Sequence, residues 1–162
     1  MPNNPDMSDQ RRSYHDQRYV HFVTFSVYRR RRLLELNHPN RIVLGVLNHQ
    51  LEAMSARCLG FVVMRDHVHA LLWLPEPRDL QRFLDGWKRM SSFVIRRWYA
   101  EFAPHDAEVF GQGEQFWQPK SYAFQIYSEH KLLEKLTYMH ENPVRSGLVT
   151  RAIDSRWSSA RW

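Results

Sequence analysis

The order of strand-like and helix-like segments is the feature of this sequence that most constrains its fold. Tyr19 to Tyr28 reads YVHFVTFSVY, and its Val, Phe, Thr and Tyr residues predict a strand. The four arginines at 29–32 end that strand. Asn37-His38-Pro39 predicts a helix start, because Pro is favoured at the first helical position. Apolar side chains then follow at helical spacing: Val43, Val46, Leu47, Leu51 and Met54.

Two further strands and a long helix are predicted in the middle of the chain. Residues 60–65 and 67–74 have strand-like composition, and the Arg65-Asp66 corner joins them. Arg78 to Phe102 has the apolar periodicity of a long helix. We expect a loop from Pro104 to Gly113.

The last part of the sequence predicts one more strand and one more helix. Phe116 to Tyr127 is apolar and aromatic around Pro119, which indicates a strand with an irregular start. Ser128 is a favourable N-cap. We expect the helix that it begins to end near Glu141, because Asn142-Pro143 should close it.

This order, β-α-β-β-α-β followed by a helix, predicts an α+β chain of the ferredoxin-like type. Such a chain has an antiparallel sheet with helices on one face, to which a C-terminal helix and a basic tail are added here. The length of 162 residues suits one domain. We place that domain at 14–162, and we expect the polar residues 1–13, with two prolines, to be a disordered lead-in.

Charge and cysteine content favour some kinds of partner and exclude some kinds of site. Lys and Arg number 23 against 17 Asp and Glu, which gives a formal charge of +6 and favours an anionic partner such as nucleic acid. The single cysteine, Cys58, excludes an intrachain disulfide and a four-cysteine zinc site. No apolar run approaches the ~20 residues that span a bilayer. We therefore expect no membrane partner and a cytoplasmic protein.

Asp66-His67-Val68-His69 is the first motif that can carry chemistry. Residues two apart in a strand point to the same face, so His67 and His69 present two imidazoles side by side. Such a pair is a good clamp for a metal ion. The other interpretation is a pair of histidines on a half-exposed strand, bonded to neighbouring residues. The apolar flanks on both sides favour the metal site.

The last predicted helix carries the second motif. Leu132, Leu133, Leu136 and Met139 form its apolar face, whereas Lys131, Lys135, Tyr138 and Asn142 form a polar stripe at spacings of four, three and four. A tyrosine among lysines, with an amide one turn away, indicates a nucleophile near a metal site. A phenol with a free pKa of ~10 needs such neighbours to act at neutral pH. The alternative is a solvated helix face with a surface tyrosine.

Together these motifs resemble those of a known enzyme family. The sequence resembles the HUH-type single-tyrosine transposases, most closely the REP-associated branch of the IS200-like family. The strongest similarity lies in FVVMRDHVHALLWLP (61–75), in FWQPKSYAFQIYSEHKLLEKLTYMHENPVRSGLV (116–149) and in the terminal RWSSARW (156–162). Arg65 departs from the pattern, because many relatives have Pro before the acidic residue.

The resemblance implies an activity and assigns roles to residues. Family members cut single-stranded DNA through a covalent 5′-phosphotyrosine with a divalent metal, Mg²⁺ or Mn²⁺. The REP-associated branch acts on hairpin-forming REP repeats of bacterial chromosomes. By position, Tyr138 corresponds to the nucleophile, His67 and His69 to the metal-binding pair, and Asn142 to the polar ligand. Members act as a monomer or a homodimer, and both states stay open here.

Basic and aromatic residues outside this site are candidates for DNA contact. They are Lys135, Lys131, Arg89, Lys120, Arg145 and Trp117. For Trp117, core packing is an equally good interpretation. Two other functions also remain open from the sequence. One is a non-catalytic module that binds single-stranded nucleic acid on a ferredoxin-like sheet, and the other is a family member that binds its repeat but rarely cuts it.

Overall fold

The computed structural model describes residues 20–108 and 113–162. The predicted lead-in at 1–13, and Tyr19 at the start of the first predicted strand, lie outside the described residues. The strands are β1 (Val20–Ser26), β2 (Arg57–Val63), β3 (His67–Trp73) and β4 (Tyr122–Gln125). The helices are α1 (Asn37–Ala53), α2 (Leu80–Phe102), the short α3 (Pro104–Ala107) and α4 (Glu129–Arg145). Within the described ranges, no helix has both the length and the apolar character needed to cross a membrane.

The four strands form one sheet in the order β2-β3-β1-β4, and every neighbouring pair is antiparallel. This is the ferredoxin-like order, so the predicted fold class is confirmed. In the central pair, Thr24 lies opposite His69 and Ser26 lies opposite His67. β4 is shorter than predicted. Its irregular start is confirmed, because a single bridge between Val27 and Trp117 precedes it.

One face of the sheet packs against α1 and α2. Alternate residues of β1 and β3 point to this side, among them Phe25 and Val68, and both are almost fully buried. Trp87 of α2 fills the centre, with its ring edge-on to Phe25 at 4.8 Å. Its indole N–H donates to the carbonyl of Val43 on α1 at 2.8 Å. This continuous apolar core anchors the two helices to the sheet.

α4 packs on the opposite face of the sheet. Its buried Met139 contacts an apolar cluster that contains Phe22 and Leu71. The C-terminal segment runs along the edge strand β2, where the amide of Val63 donates to the carbonyl of Trp157 at 2.8 Å. Helices therefore cover both faces, and the last helix is the one that faces the alternate positions of β1 and β3.

The end of α4 corrects one expectation. We expected Asn142-Pro143 to close the helix, but it continues through Pro143 to Arg145. Pro143 has no N–H to donate to the preceding turn, yet it is buried, and its packing keeps the chain helical. The amide of Ser146 still donates to the carbonyl of Asn142 at 3.0 Å. Asn142 therefore stays on the same helical stripe as the residues before it.

Candidate functional site

Two histidines lie at the first end of β3, whereas the rest of this strand is apolar. His67 and His69 lie on the face that α4 covers, and both are buried, with exposed fractions of 9% and 5%. Their rings are 4.8 Å apart and nearly perpendicular. Val68 between them points into the core under α1 and α2. The sequence alternation thus predicted correctly that the two imidazoles share one face.

Each imidazole uses its Nδ1 atom for a hydrogen bond to a neighbouring side chain. His67 Nδ1 lies 2.6 Å from Asp66 Oδ1, and His69 Nδ1 lies 2.6 Å from Thr24 Oγ1. An imidazole that donates through Nδ1–H keeps Nε2 as a free lone pair, the form that binds metals. In the described part of the chain, His67 Nε2 has no hydrogen-bond partner, so it remains available to a ligand.

Burial keeps both imidazoles neutral. Desolvation lowers the pKa of His69 to about 3, and the neighbouring His67, Arg30 and Arg145 charges lower it further. Desolvation also lowers the pKa of His67, although the Asp66 carboxylate opposes that shift. Neutral imidazole is the protonation state that a metal ion requires.

Asn142 of α4 completes the set of candidate ligands. Its Nδ2 lies 2.9 Å from His69 Nε2, and rotation of the amide would exchange Nδ2 for the oxygen, since the two atoms are assigned from their contacts. Two imidazole nitrogens and an amide oxygen can hold a divalent metal ion and leave open coordination positions. No cluster of three His, Cys, Asp or Glu residues occurs in ranges 20–108 and 113–162. This donor set therefore fits a divalent ion only with Asn142 included.

Tyr138 lies one turn before Asn142 and faces the same site. Its ring centroid is 5.8 Å from that of His69 and 6.2 Å from that of Phe22. The side chain is 44% exposed, and its hydroxyl has no hydrogen-bond partner among the described residues. A half-exposed phenol beside the imidazole pair is accessible to a substrate that arrives from solvent.

Two cations flank the Tyr138 ring. The Arg145 guanidinium carbon lies 4.5 Å from the ring centroid, and the Lys135 Nζ lies 5.9 Å from it. Arg145 also donates to the carbonyl of Tyr138 at 2.6 Å. Positive charge close to the phenol attracts an anion such as a phosphodiester.

The remaining predicted DNA-contact residues lie in different places. Lys131 is on α4 and pairs with Glu134 at 2.8 Å. Lys120 is exposed just before β4, and Arg89 is exposed on α2, on the other side of the sheet from Tyr138. The structure therefore brings Lys135 and Arg145 to Tyr138 but does not bring Arg89 there.

Trp117 belongs to the core, which corrects its assignment as a base-stacking residue. It is 5% exposed, and its ring lies between Phe25 and Phe116 at 4.8 Å from each centroid. Its indole N–H donates to Ser91 Oγ at 3.1 Å. Stacking on a base would require the ring to leave this packing.

Sequence reasoning missed the residues that hold the histidines. Thr24 and Arg30 are the main examples, and Arg30 bonds to Asp66 through Nε at 3.0 Å. The position of Thr24 opposite His69 depends on the register between β1 and β3, which no local pattern encodes. Asp66 did carry a signal, because it directly precedes His67 in the motif.

Comparisons with known proteins show a family match and two similar folds. A family model described as IS200-like transposase matches residues 14–142. The fold is similar to that of a REP-associated tyrosine transposase bound to a REP hairpin, with a TM-score of 0.73 and 18% identity over 99% of this chain and 84% of that chain. It is also similar to a putative transposase from Deinococcus radiodurans R1, with a TM-score of 0.55 and 16% identity over 87% and 96% of the two chains. No curated protein matches the sequence.

Proposed function

The chain belongs to the IS200-like transposase family, and from this membership we propose that it is a metal-dependent single-stranded DNA endonuclease and strand transferase of the HUH type. Its substrate is hairpin DNA of the REP type, and the reaction passes through a covalent 5′-phosphotyrosine. The observation that carries the proposal is the convergence of Tyr138, His69 and Asn142. The phenol ring lies 5.8 Å from an imidazole whose Nε2 is 2.9 Å from the amide.

Tyr138 is the nucleophile in this mechanism. Its oxygen attacks the scissile phosphorus, the bond from phosphorus to the 3′-oxygen breaks, and the phosphate stays on the tyrosine as a phosphodiester. The phenolic proton goes to solvent, and the leaving 3′-oxygen takes up a proton from water. Because the bond energy is conserved, a second 3′-hydroxyl can attack Tyr138-linked DNA and rejoin the strand without a cofactor that supplies energy.

One group of site residues acts on the attacking phenol, and another would hold the metal ion. Lys135 and Arg145 lie beside the attacking phenol, where they reduce its repulsion from an anionic phosphodiester. His67, His69 and Asn142 would hold Mg²⁺ or Mn²⁺. When bound, such an ion polarises a non-bridging phosphate oxygen. Asp66 and Thr24 hold the two imidazoles with Nε2 toward that position.

The partner is DNA that combines a hairpin with single-stranded flanks. A solved structure with a similar fold is that of a REP-associated tyrosine transposase bound to a REP hairpin, which supports the same substrate class here. Exposed Lys120 and Arg89 and half-buried Lys131 are the proposed contacts to phosphates farther from the site. The protein acts as a monomer or a homodimer, in the cytoplasm and at the nucleoid.

The competing function, a non-catalytic module that binds nucleic acid on an open sheet face, has less support. Such a module needs exposed aromatic side chains on the central strands. Here α1 and α2 cover one face of β1 and β3, and α4 covers the other. Phe22 on β1 is 3% exposed, so it offers little surface to a base.

Formation of a covalent adduct tests the proposed function. Purified protein is mixed with Mn²⁺ and a labelled set of hairpin oligonucleotides with single-stranded flanks, and SDS-resistant complexes are measured on a gel. We expect an adduct with the wild type and none with Tyr138→Phe. Tyr127→Phe is the matched control, because Tyr127 is exposed just before α4, and it should react like the wild type. Absence of any wild-type adduct, or an adduct with Tyr138→Phe, would contradict the proposal.

A further inference from the structure

A cavity of about 340 Å³ opens beside the histidine pair. His67 and Asn142 line it, together with three arginines, Arg30, Arg32 and Arg65. In the described residues, neither Tyr138 nor His69 lines this cavity. Its volume is at the lower end of the range for small-ligand sites, about 300–1,000 Å³, which suits one nucleotide unit.

The cavity and the nucleophile lie on opposite sides of the candidate metal ligands. Tyr138 and Asn142 are one turn apart on α4, about 6 Å along its axis, and Ser146 caps the C-terminal end of the helix about one turn farther on. Tyr138 contacts His69, whereas Ser146 lines the cavity together with His67. The N-terminal end of β3 follows the same direction, because the chain passes from His69 back through His67 to the turn at Arg65. The order across the site is therefore nucleophile, ligands, cavity.

The cavity wall is positively charged, and one of its arginines, Arg30, is fixed by two side-chain contacts. Arg29 and Arg30 both have φ of 55°, a left-handed conformation that is uncommon for residues other than Gly. This corner directs the Arg30 guanidinium to Asp66 Oδ2 at 3.0 Å and Ser26 Oγ at 2.7 Å. A strained backbone that places a cation beside a reaction site is consistent with a functional role.

The other two arginines are less constrained. Arg32 and Arg65 share one carboxylate, that of Glu35, at 3.6 and 3.5 Å. Three guanidinium groups thus face two carboxylates, Asp66 and Glu35. The excess positive charge favours an anion such as a phosphodiester, which guanidinium groups bind with two parallel hydrogen bonds.

We propose that this cavity binds the nucleotide on the leaving side of the scissile phosphate, an inference that rests on the proposed function. In phosphoryl transfer the attacking and leaving oxygens lie roughly in line through phosphorus. With the Tyr138 oxygen on the His69 side, the leaving 3′-oxygen and its sugar lie on the His67 side. Arg32 and Arg65 then contact the 5′-phosphate of that nucleotide.

Binding on this side has a consequence for strand transfer. After cleavage, the Tyr138–O–P bond has formed and the P–O3′ bond has broken, so the leaving strand ends in a free 3′-hydroxyl. A cavity that retains this nucleotide keeps the hydroxyl beside the phosphotyrosine. The reverse attack can then reseal the strand, and transfer to another strand requires release from the cavity.

Photocrosslinking tests on which side the leaving nucleotide lies. The probe is a hairpin oligonucleotide that forms the adduct with wild-type protein, carrying 4-thiothymidine either just before or just after the scissile phosphate. Tyr138→Phe protein binds it uncleaved, and mass spectrometry locates the crosslink. We expect the position before the phosphate to crosslink to residues 28–35 or 64–66, and the position after it to β4 or the first half of α4. The reverse pattern would overturn the inference, whereas absence of any wild-type adduct would instead count against the proposed function.

Binding of a leaving-strand product tests the arginines. The probe is a 5′-fluorescein tetradeoxynucleotide with a free 3′-hydroxyl and the sequence of the leaving strand, measured by fluorescence anisotropy. We expect Arg32→Ala/Arg65→Ala to weaken its binding about tenfold. Arg41→Ala, at an exposed position on α1, should change it less than twofold. Equal binding by the double variant and the wild type would contradict a cavity for this nucleotide.

Discussion

The two faces of the sheet are made from the same strands but carry different chemistry. Under α1 and α2, the side chains of Phe25, Val68 and Trp87 are buried and apolar. Under α4, the positions next to them are His67 and His69, which are also buried but polar. Strand alternation therefore separates the part of the molecule that stabilises the fold from the part that carries the proposed chemistry.

The difference is sharpest at one end of the second face. Toward the other end of β3, Leu71 and the neighbouring Phe22 contact Met139 of α4, so that end of the face is apolar. Where α4 presents Tyr138 and Asn142, β3 carries the polar His67 and His69 instead of apolar residues. Substitutions on the first face should thus affect stability, and those at the polar end of the second face should affect activity.

Loss of Trp87 should have the largest effect on stability. Trp87→Ala removes a fully buried ring and leaves a cavity, which should lower the free energy of unfolding by about 4 kcal/mol. Urea denaturation measures this change. Phe93→Ala on the same helix is the control, because Phe93 is 61% exposed, and it should change stability by less than about 0.5 kcal/mol. Similar losses in both variants would contradict the assigned core.

Loss of His69 should mainly remove activity. His69→Ala deletes one imidazole of the candidate metal site, and we expect the rate of adduct formation with Mn²⁺ to fall at least about a hundredfold. Its folded state should persist, with a cooperative melting transition by circular dichroism. A variant that retains wild-type rates would show that the two faces do not differ in function as proposed.

Thr24→Val should have a smaller effect on the same face. The substitution keeps the shape but removes the hydroxyl 2.6 Å from His69 Nδ1, which fixes the imidazole. We expect Mn²⁺ affinity, measured by calorimetry, to fall about tenfold. Thr137→Val, at an exposed position on α4, should leave it unchanged. Equal affinities in both variants would mean that Thr24 does not orient the ligand.

The stability of the metal-free protein should depend on pH through the histidine face. The folded protein lowers the pKa of His69 to about 3, whereas the unfolded chain titrates near 6.5. Between these values the unfolded state binds more protons, so the free energy of unfolding falls as the pH is lowered from 6.5. The contribution of His69 is about 1 kcal/mol between pH 6.5 and 5.5, and it approaches about 1.4 kcal/mol per pH unit at lower pH. Urea denaturation with EDTA at pH 6.5 and 5.5 should therefore show a smaller pH dependence for His69→Gln than for the wild type, and equal slopes would contradict this.

Local patterns in the sequence were sufficient to predict much of the site. Period-two alternation places His67 and His69 on one face, and helical spacing places Lys135, Tyr138 and Asn142 on one stripe. Both are properties of a single element, so no knowledge of packing is needed. The order of strands and helices likewise predicts the sheet order that the structure shows.

What could not be predicted depends on contacts between elements. The hydrogen bond between Thr24 and His69 requires the register between two strands. The burial of Trp117 depends on Phe25 and Ser91, which are far away in sequence. The continuation of α4 past Pro143 opposes a local rule, and burial of that proline offsets the missing hydrogen bond.

The measurement that tests the central claim most directly is the effect of Mn²⁺ on the tyrosine ring signals in NMR spectra. The claim is that the Tyr138 phenol faces an ion held by His67, His69 and Asn142. We predict that Mn²⁺ broadens the Tyr138 ring signals beyond detection, whereas those of Tyr99, a buried residue of α2 in the core on the other face of the sheet, stay sharp. His69→Ala should abolish the broadening. Tyr138 signals as sharp as those of Tyr99 at saturating Mn²⁺ would contradict the account.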